Sequence, residues 1–325
     1  MPFDPHSDRL RDGLAHLRAL ITVAAILSSA ALCPASQSHV RVVQKDEGFQ
    51  FYDGNEPVLF YRTAPKTTAE GTYSRNNYCH PVYGLDGTVM TEDFPPDHLH
   101  HRGIFWAWHQ VCVGDTPMGD MWACLDFTWD IHAVRILPPQ ERSAALQARV
   151  YWKSSQWKEA AAPFAEETVT IRVHQAADET RLIDFCLELR ALEPGLRIGG
   201  SNDVKGYGGF STRIVLPPDI RMSDPNGPVT PKNTAVPAGD WMNFSGTFSD
   251  TLSGFAILVH PSHPGHPRRW ILRNAGSAQN LAYPGRDPIP IPTAQPLTLR
   301  YRLVFHRNAD LNQLFREYSQ LKDPP

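Results

Sequence analysis

Strict period-two alternation, cut at short intervals by glycine, proline and asparagine, is the feature that most restricts what this chain can become. In "TRLIDFCLELRAL", Leu182, Asp184, Cys186 and Glu188 fall on one face and Ile183, Phe185, Leu187 and Leu189 on the other. One dry face and one wetter face is the pattern of an antiparallel strand with one buried side. "ALQARVYWKSS" and "EETVTIRVHQA" repeat it upstream, and "GGFSTRIVLP", "FSGTFSDTLSGFAILVHP", "RRWILRNAG" and "LTLRYRLVFHR" repeat it downstream. Near the start, "HVRVVQKDEGFQFYDGNEPVLFYR" reads as a hairpin turning at Asp53-Gly54-Asn55. Only "ADLNQLFREYSQL" carries helical spacing, with Leu311, Leu314, Phe315 and Tyr318 on one stripe and Asp310 as N-cap. The expected fold is therefore all-β, a large antiparallel sandwich with one C-terminal helix. The 29 prolines belong in the turns and edges of such a fold. No repeat period appears, which argues against a propeller or solenoid.

The first residues have another character. Arg9, Arg11 and Arg18 precede the apolar run Ala19–Leu32, and small residues follow, the order of a secretory signal. Residues 1–36 are expected to be a signal peptide and residues 37–325 one sandwich domain. Cys33 stands where a lipid could be attached, but Leu32 fits a lipoprotein box poorly, so periplasmic or extracellular release is expected over anchoring. No other stretch is apolar enough to span a membrane. A net charge of −3 over 325 residues implies no nucleic-acid partner. Cys79, Cys112 and Cys124 could pair in an oxidising compartment, while buried free thiols suit a domain of this size equally. "LPPDIRMSDPNGPVTPKNTAVPAGD" (216–240) reads as a functional loop or an edge excursion, and His260, His263 and His266 as a turn-rich surface loop.

Chemistry concentrates in "DHLHHRGIFWAWHQ" (97–110). Read as a strand, it puts His98, His100 and Arg102 on one face and Leu99 and His101 on the other. His98 and His100 would then form an HxH pair able to hold a divalent metal, with His80, His109, His260 or Asp97 as third ligand. Alternatively the imidazoles serve as acid and base near neutral pH, with Arg102 stabilising negative charge. A structural role, with Arg102 paired to Asp97, is the third reading. Lys205 in "NDVKGYGGFSTRI" is a candidate catalytic or binding cation, and Arg213 follows on a strand. Asp97, Trp108, Asp120, Trp122, Arg213 and Trp241 are candidate substrate contacts, the indoles as stacking platforms for sugar rings. Trp241 and Trp270 equally suit the core. Neither a phosphate-binding lysine loop, nor a serine elbow, nor a dinucleotide fingerprint is present, so no organic cofactor is implied.

"HPVYGLDGTVMTEDFPPDHLHHRGIFWAWHQV", Asp120 to Trp122, "KGYGGFSTRI", "WMNFSG" and "GFAILVHPSHPGHPRRWILR" together resemble a bacterial family of unknown function often labelled "methane oxygenase PmoA". The methane monooxygenase subunit of that name is a bundle of membrane helices, which this sequence cannot form, so the label is taken as a misnomer. The resemblance implies an exported β-sandwich, and by analogy the super-sandwich of sugar mutarotases and polysaccharide lyases. It marks His80, His100, His101, Arg102 and Lys205 as cleft residues. The expected function is enzymatic proton transfer on a carbohydrate or derivative, by a lyase, hydrolase or epimerase. The alternatives are a non-catalytic carbohydrate-binding module, with Trp106, Trp108, Trp122 and Trp241 as platforms, and a metal-dependent oxidase or lyase.

Overall fold

A computed structural model describes residues 39–322; the proposed signal segment and Cys33 lie outside the described residues. The alternating runs form strands paired antiparallel throughout. One nine-stranded sheet begins with the meander Val40–Lys45, Gly48–Asp53 and Glu56–Arg62 and continues through Tyr78–Val82, Ile104–Ala107 and Gly209–Thr212 to Gln279–Leu281 and Arg269–Ile271. The expected Asp53-Gly54-Asn55 turn joins the second and third of these strands, with Gly54 at φ +61°, where a side chain is disfavoured. The other nine-stranded sheet has the long strands Ser143–Ser154, Ala165–His174, Thr180–Ala191 and Leu297–His306 at its centre and the hairpin Trp241–Phe248/Thr251–Val259 beside them.

The dry faces of the two sheets meet. Phe210 of the first sheet stacks on Tyr301 of the second with ring centroids 4.2 Å apart, and Trp106 meets Phe185 edge-on. The face predicted to be dry, from Ile183 to Leu189, is buried in this core. One ionisable group lies inside it. Glu167 accepts hydrogen bonds from Asn77 Nδ2 at 2.8 Å, Trp106 Nε1 at 2.5 Å and Trp152 Nε1 at 2.7 Å, so its buried oxygens are partnered. Burial pushes its pKa up while those donors oppose the shift.

The outer face of the second sheet is covered by the helix Leu311–Ser319, capped by Asp310, whose carboxylate accepts from Gln313 N–H at 3.0 Å. Leu311 and Tyr318 are buried there against Ala256, Leu258, Val304 and Trp241. Trp241 is thus a packing residue beneath the helix. Residues 216–240 prove to be an edge excursion: Arg221–Asp224 and Gly227–Pro228 extend one sheet, and Val236–Pro237 ends the other. His260 and His263, expected at the surface, are buried; His263 Nε2 lies 2.8 Å from the Tyr301 hydroxyl. Cys79, Cys112, Cys124 and Cys186 are all free thiols.

After Ala107 the chain leaves the first sheet. Across Trp108 and His109 it enters a small four-stranded sheet through Gln110–Val113, which pairs with Leu196–Gly199. That departure delivers the segment around Trp122 to the end of the sandwich where the histidines lie.

Candidate functional site

The histidine run is a turn rather than a strand. Pro95-Pro96 restrict the approach, and the chain then folds back, with His98 N–H donating to Pro95 O at 3.0 Å and His101 N–H to His98 O at 2.9 Å. The strand begins only at Ile104. Gly103 lies so close to the Cys79 carbonyl that a Cβ would collide with it. The neighbours are therefore three apart. His98 and His101 stack in parallel at 4.5 Å, and His100 stands edge-on to both at 5.7 and 4.6 Å. This overturns the HxH face expected of His98 and His100. Stacking lays ring faces against each other, and among the described residues no three His, Cys, Asp or Glu side chains converge as a metal site.

Arg102 is also not where a strand would put it. It is fully buried, donating to Leu99 O and His101 O at 2.7 Å each and to Tyr73 O at 2.5 Å, with its guanidinium 3.5 Å from the Phe94 ring centre. Its nearest carboxylate is Asp93 at 3.6 Å, not Asp97. It clamps the loop that carries the histidines and does not line their pocket. His80 hydrogen-bonds Thr91 Oγ1 at 3.0 Å behind Gly103 and is likewise not part of the lining. Trp108 is sealed in the core, its indole N–H bound to Tyr283 O at 2.9 Å, so no ligand can stack on it.

What the fold does bring together is His98, His100, His101, Trp122 and Lys205, on a cavity of about 350 Å³. Lys205 arrives on a loop organised by Asp203, whose Oδ1 accepts from Ser201 Oγ at 2.7 Å and from the Lys205 and Gly206 N–H groups at 2.8 and 3.2 Å. Gly206, at φ +60°, packs on the backbone of Gly285 and Arg286, where a side chain would not fit. Trp122 is held among Phe105, His109 and Tyr207. Asp120 orients His109 through a 2.8 Å contact and caps Ala123 N–H, acting behind the wall rather than in it.

Asp97 and Arg213 form a supporting relay. Arg213 bonds Glu92 at 2.7 Å and Asp97 Oδ1 at 2.8 Å, and approaches His101 Nδ1 at 3.4 Å. Asp97 Oδ2 meets His98 Nδ1 at 2.9 Å. Burial raises the Asp97 pKa somewhat, but the His98 and Arg213 hydrogen bonds win and hold it below the usual carboxylate range. An ionised carboxylate only accepts, so His98 Nδ1 carries the proton and Nε2 remains for other partners. Burial first, then neighbouring positive groups, lower the His100 pKa to about 4 and that of His101 to about 2. Both rings are neutral at physiological pH.

The cavity is also lined by residues that alternation and motif reading do not single out: Tyr207, Ile271, Arg273, Ser277 and Asn280. Tyr207 stands two positions beyond Lys205, inside a stretch conspicuous only for its lysine and glycines. Arg273 follows a three-residue strand and carries no sequence signal of its own, because only the pairing of Arg269–Ile271 with Gln279–Leu281 turns it toward the histidines' side of the sandwich.

Residues 49–316 match a family of unknown function (DUF6807). The expected family character is supported, and the methane-oxygenase label attached to it is not. No curated protein matches the chain. Among solved structures, a candidate mutarotase (YeaD) from Salmonella typhimurium is 12% identical, covering 82% of this chain and 90% of its own, with a TM-score of 0.32. A likeness that loose carries no argument about chemistry. Among the described residues no helix is long and apolar enough to cross a membrane.

Proposed function

We propose a function for a chain that belongs to the DUF6807 family: it binds a carbohydrate or carbohydrate derivative in the histidine-lined cavity and moves a proton on it. The observation that carries this reading is one pocket walled by three imidazoles, Lys205 and two aromatic rings. A volume near 350 Å³ suits one or two sugar rings. His100, neutral and lining the cavity, is the proton acceptor. His98, fixed by Asp97 with Nε2 left over, is the second proton carrier. Lys205 supplies positive charge where negative charge grows as the proton leaves. Trp122 and Tyr207 supply the apolar surface on which a sugar face rests. Arg102 and His80, expected as members of the set, support the loop and its neighbouring strand instead. The same proposal includes export, which rests on the basic, apolar and small-residue order of residues 1–36, and a single domain from residue 37 onward.

Following the transferred proton itself tests this reading, whatever the product. A panel of mono- and disaccharides incubated with the protein in D2O, followed by proton NMR, detects deuterium entering a C–H position or faster exchange of anomers. His100→Ala is expected to abolish the effect while its thermal unfolding stays cooperative. Exchange that continues undiminished in that variant would remove His100 as acceptor. Sugar binding that survives loss of all three imidazoles, with no exchange in the wild type, would instead identify a binding module.

A further inference from the structure

The two cations lining the cavity, Lys205 and Arg273, have no carboxylate partner among the described residues. Arg273 spends its guanidinium on main-chain carbonyls, donating to Lys232 O at 2.9 Å, Leu272 O at 2.8 Å and Asn233 O at 3.2 Å. Carbonyls orient that group without neutralising it. Lys205 Nζ lies 6.0 Å from the Tyr207 ring centre. Among the described residues, neither Lys205 nor Arg273 has an acidic group within ion-pair distance, although the chain forms many such pairs elsewhere. The carboxylates in the neighbourhood are committed. Asp97 is bound by Arg213 and His98, Asp203 by its own loop, and Asp120 by His109 and Ala123 N–H.

Among the described residues, the lining contains no Asp or Glu. Its one carboxamide is spent too: Asn280 Nδ2 donates to Phe210 O at 3.0 Å and Ser211 Oγ at 2.9 Å, and its Oδ1 accepts from Gly208 N–H at 3.1 Å. A neutral sugar offers many O–H donors and is best met by carboxylate and amide oxygens. This cavity lacks those oxygens among the described residues and keeps two unneutralised cations, Lys205 and Arg273, on the same lining as Tyr207. A ligand with its own negative charge supplies the missing partner.

We propose that the pocket selects an acidic sugar, one bearing a carboxylate or sulfate, whose anionic group is held by Lys205 and Arg273 while its ring lies toward Trp122 and the histidines. The inference rests on the carbohydrate reading above and narrows its substrate class. Titration calorimetry of the full chain with D-glucuronate, D-glucose and D-glucose 6-sulfate tests it. At low salt, glucuronate or the sulfate is expected to bind at least about tenfold tighter than glucose, and whichever acid binds tighter identifies the anionic group. Raising NaCl from about 20 to about 200 mM is expected to weaken the acid and leave glucose nearly unaffected. Lys205→Met, a change on an open loop, is expected to lower the ratio of acid to glucose affinity about tenfold. Equal affinities for acid and neutral sugar, insensitive to salt and to Lys205→Met, would overturn the acidic preference and leave the carbohydrate reading standing. Failure of all three ligands to bind would overturn both.

Discussion

Acidification from pH 7 to 5 should cost this fold about 2 kcal/mol of stability for each of the most deeply buried histidines, His101, His263 and His306, about 6 kcal/mol in all, with His100 adding to the loss in the same sense. Burial is the main cause that lowers the pKa of His101 to about 2, of His263 to about 3 and of His306 to about 4. Each is almost wholly shielded from solvent. In the unfolded chain the same rings titrate near ~6.5. Between those limits the unfolded state binds more protons than the native one, so stability falls as pH falls, at about 1.4 kcal/mol per pH unit for each ring. The loss starts below the unfolded value and continues until the folded value is reached. The neighbours of two of these rings add to the effect of burial, His306 through an acceptor role and His263 through an adjacent positive charge. His306 Nδ1 accepts from Ala309 N–H at 3.2 Å, and His263 is flanked by Arg268. Asp97 and Asp184, held low by their hydrogen-bonded ion pairs, stay ionised from pH 7 to 5, so the loss over that window comes from the histidines, while Glu167, pushed up by burial, acts in the opposite sense. Urea unfolding at both pH values, followed by tryptophan fluorescence, gives the difference directly. A change below about 2 kcal/mol with an unaltered m-value would mean that these rings protonate within the native state and that burial does not hold them neutral.

Three further outcomes can be checked by the same unfolding assay. Glu167→Gln places an amide N–H2 against indole or carboxamide donors and should destabilise by about 2–4 kcal/mol, and an unchanged midpoint would refute the three-donor cradle. Asp310→Ala removes the helix cap and should cost about 1 kcal/mol, with greater protease sensitivity at the C-terminal end. Gly103→Ala drives a methyl group into the Cys79 carbonyl and should displace the histidine loop; retained sugar binding together with wild-type stability would show that the contact can relax.

The strands are legible in the sequence because their physics is local. Successive side chains point to opposite faces, so Ile183 to Leu189 reveal their buried side, and Asp310 with the Leu311–Tyr318 stripe reveals the helix. The histidine segment misleads for the same reason. Alternation carried across residues 98–102 predicts a strand face, but Pro95-Pro96 and the close approach of Gly103 impose a turn, and a turn groups positions three apart. Trp108 and Trp241 resemble platforms because an indole in sequence carries no sign of which side of a sheet will be covered.

By itself, the sequence determined the all-β class, the C-terminal helix and the concentration of imidazoles around position 100, since each follows from periodicity or residue type within one short stretch. Only the tertiary structure decided that Lys205 and Arg273, about 70 residues apart, share a cavity with those imidazoles, while Arg102 within the histidine run does not. The reason is that sheet order and loop packing bring distant strand ends to one edge of the sandwich, and no pattern within a single strand records which other strands will be its neighbours.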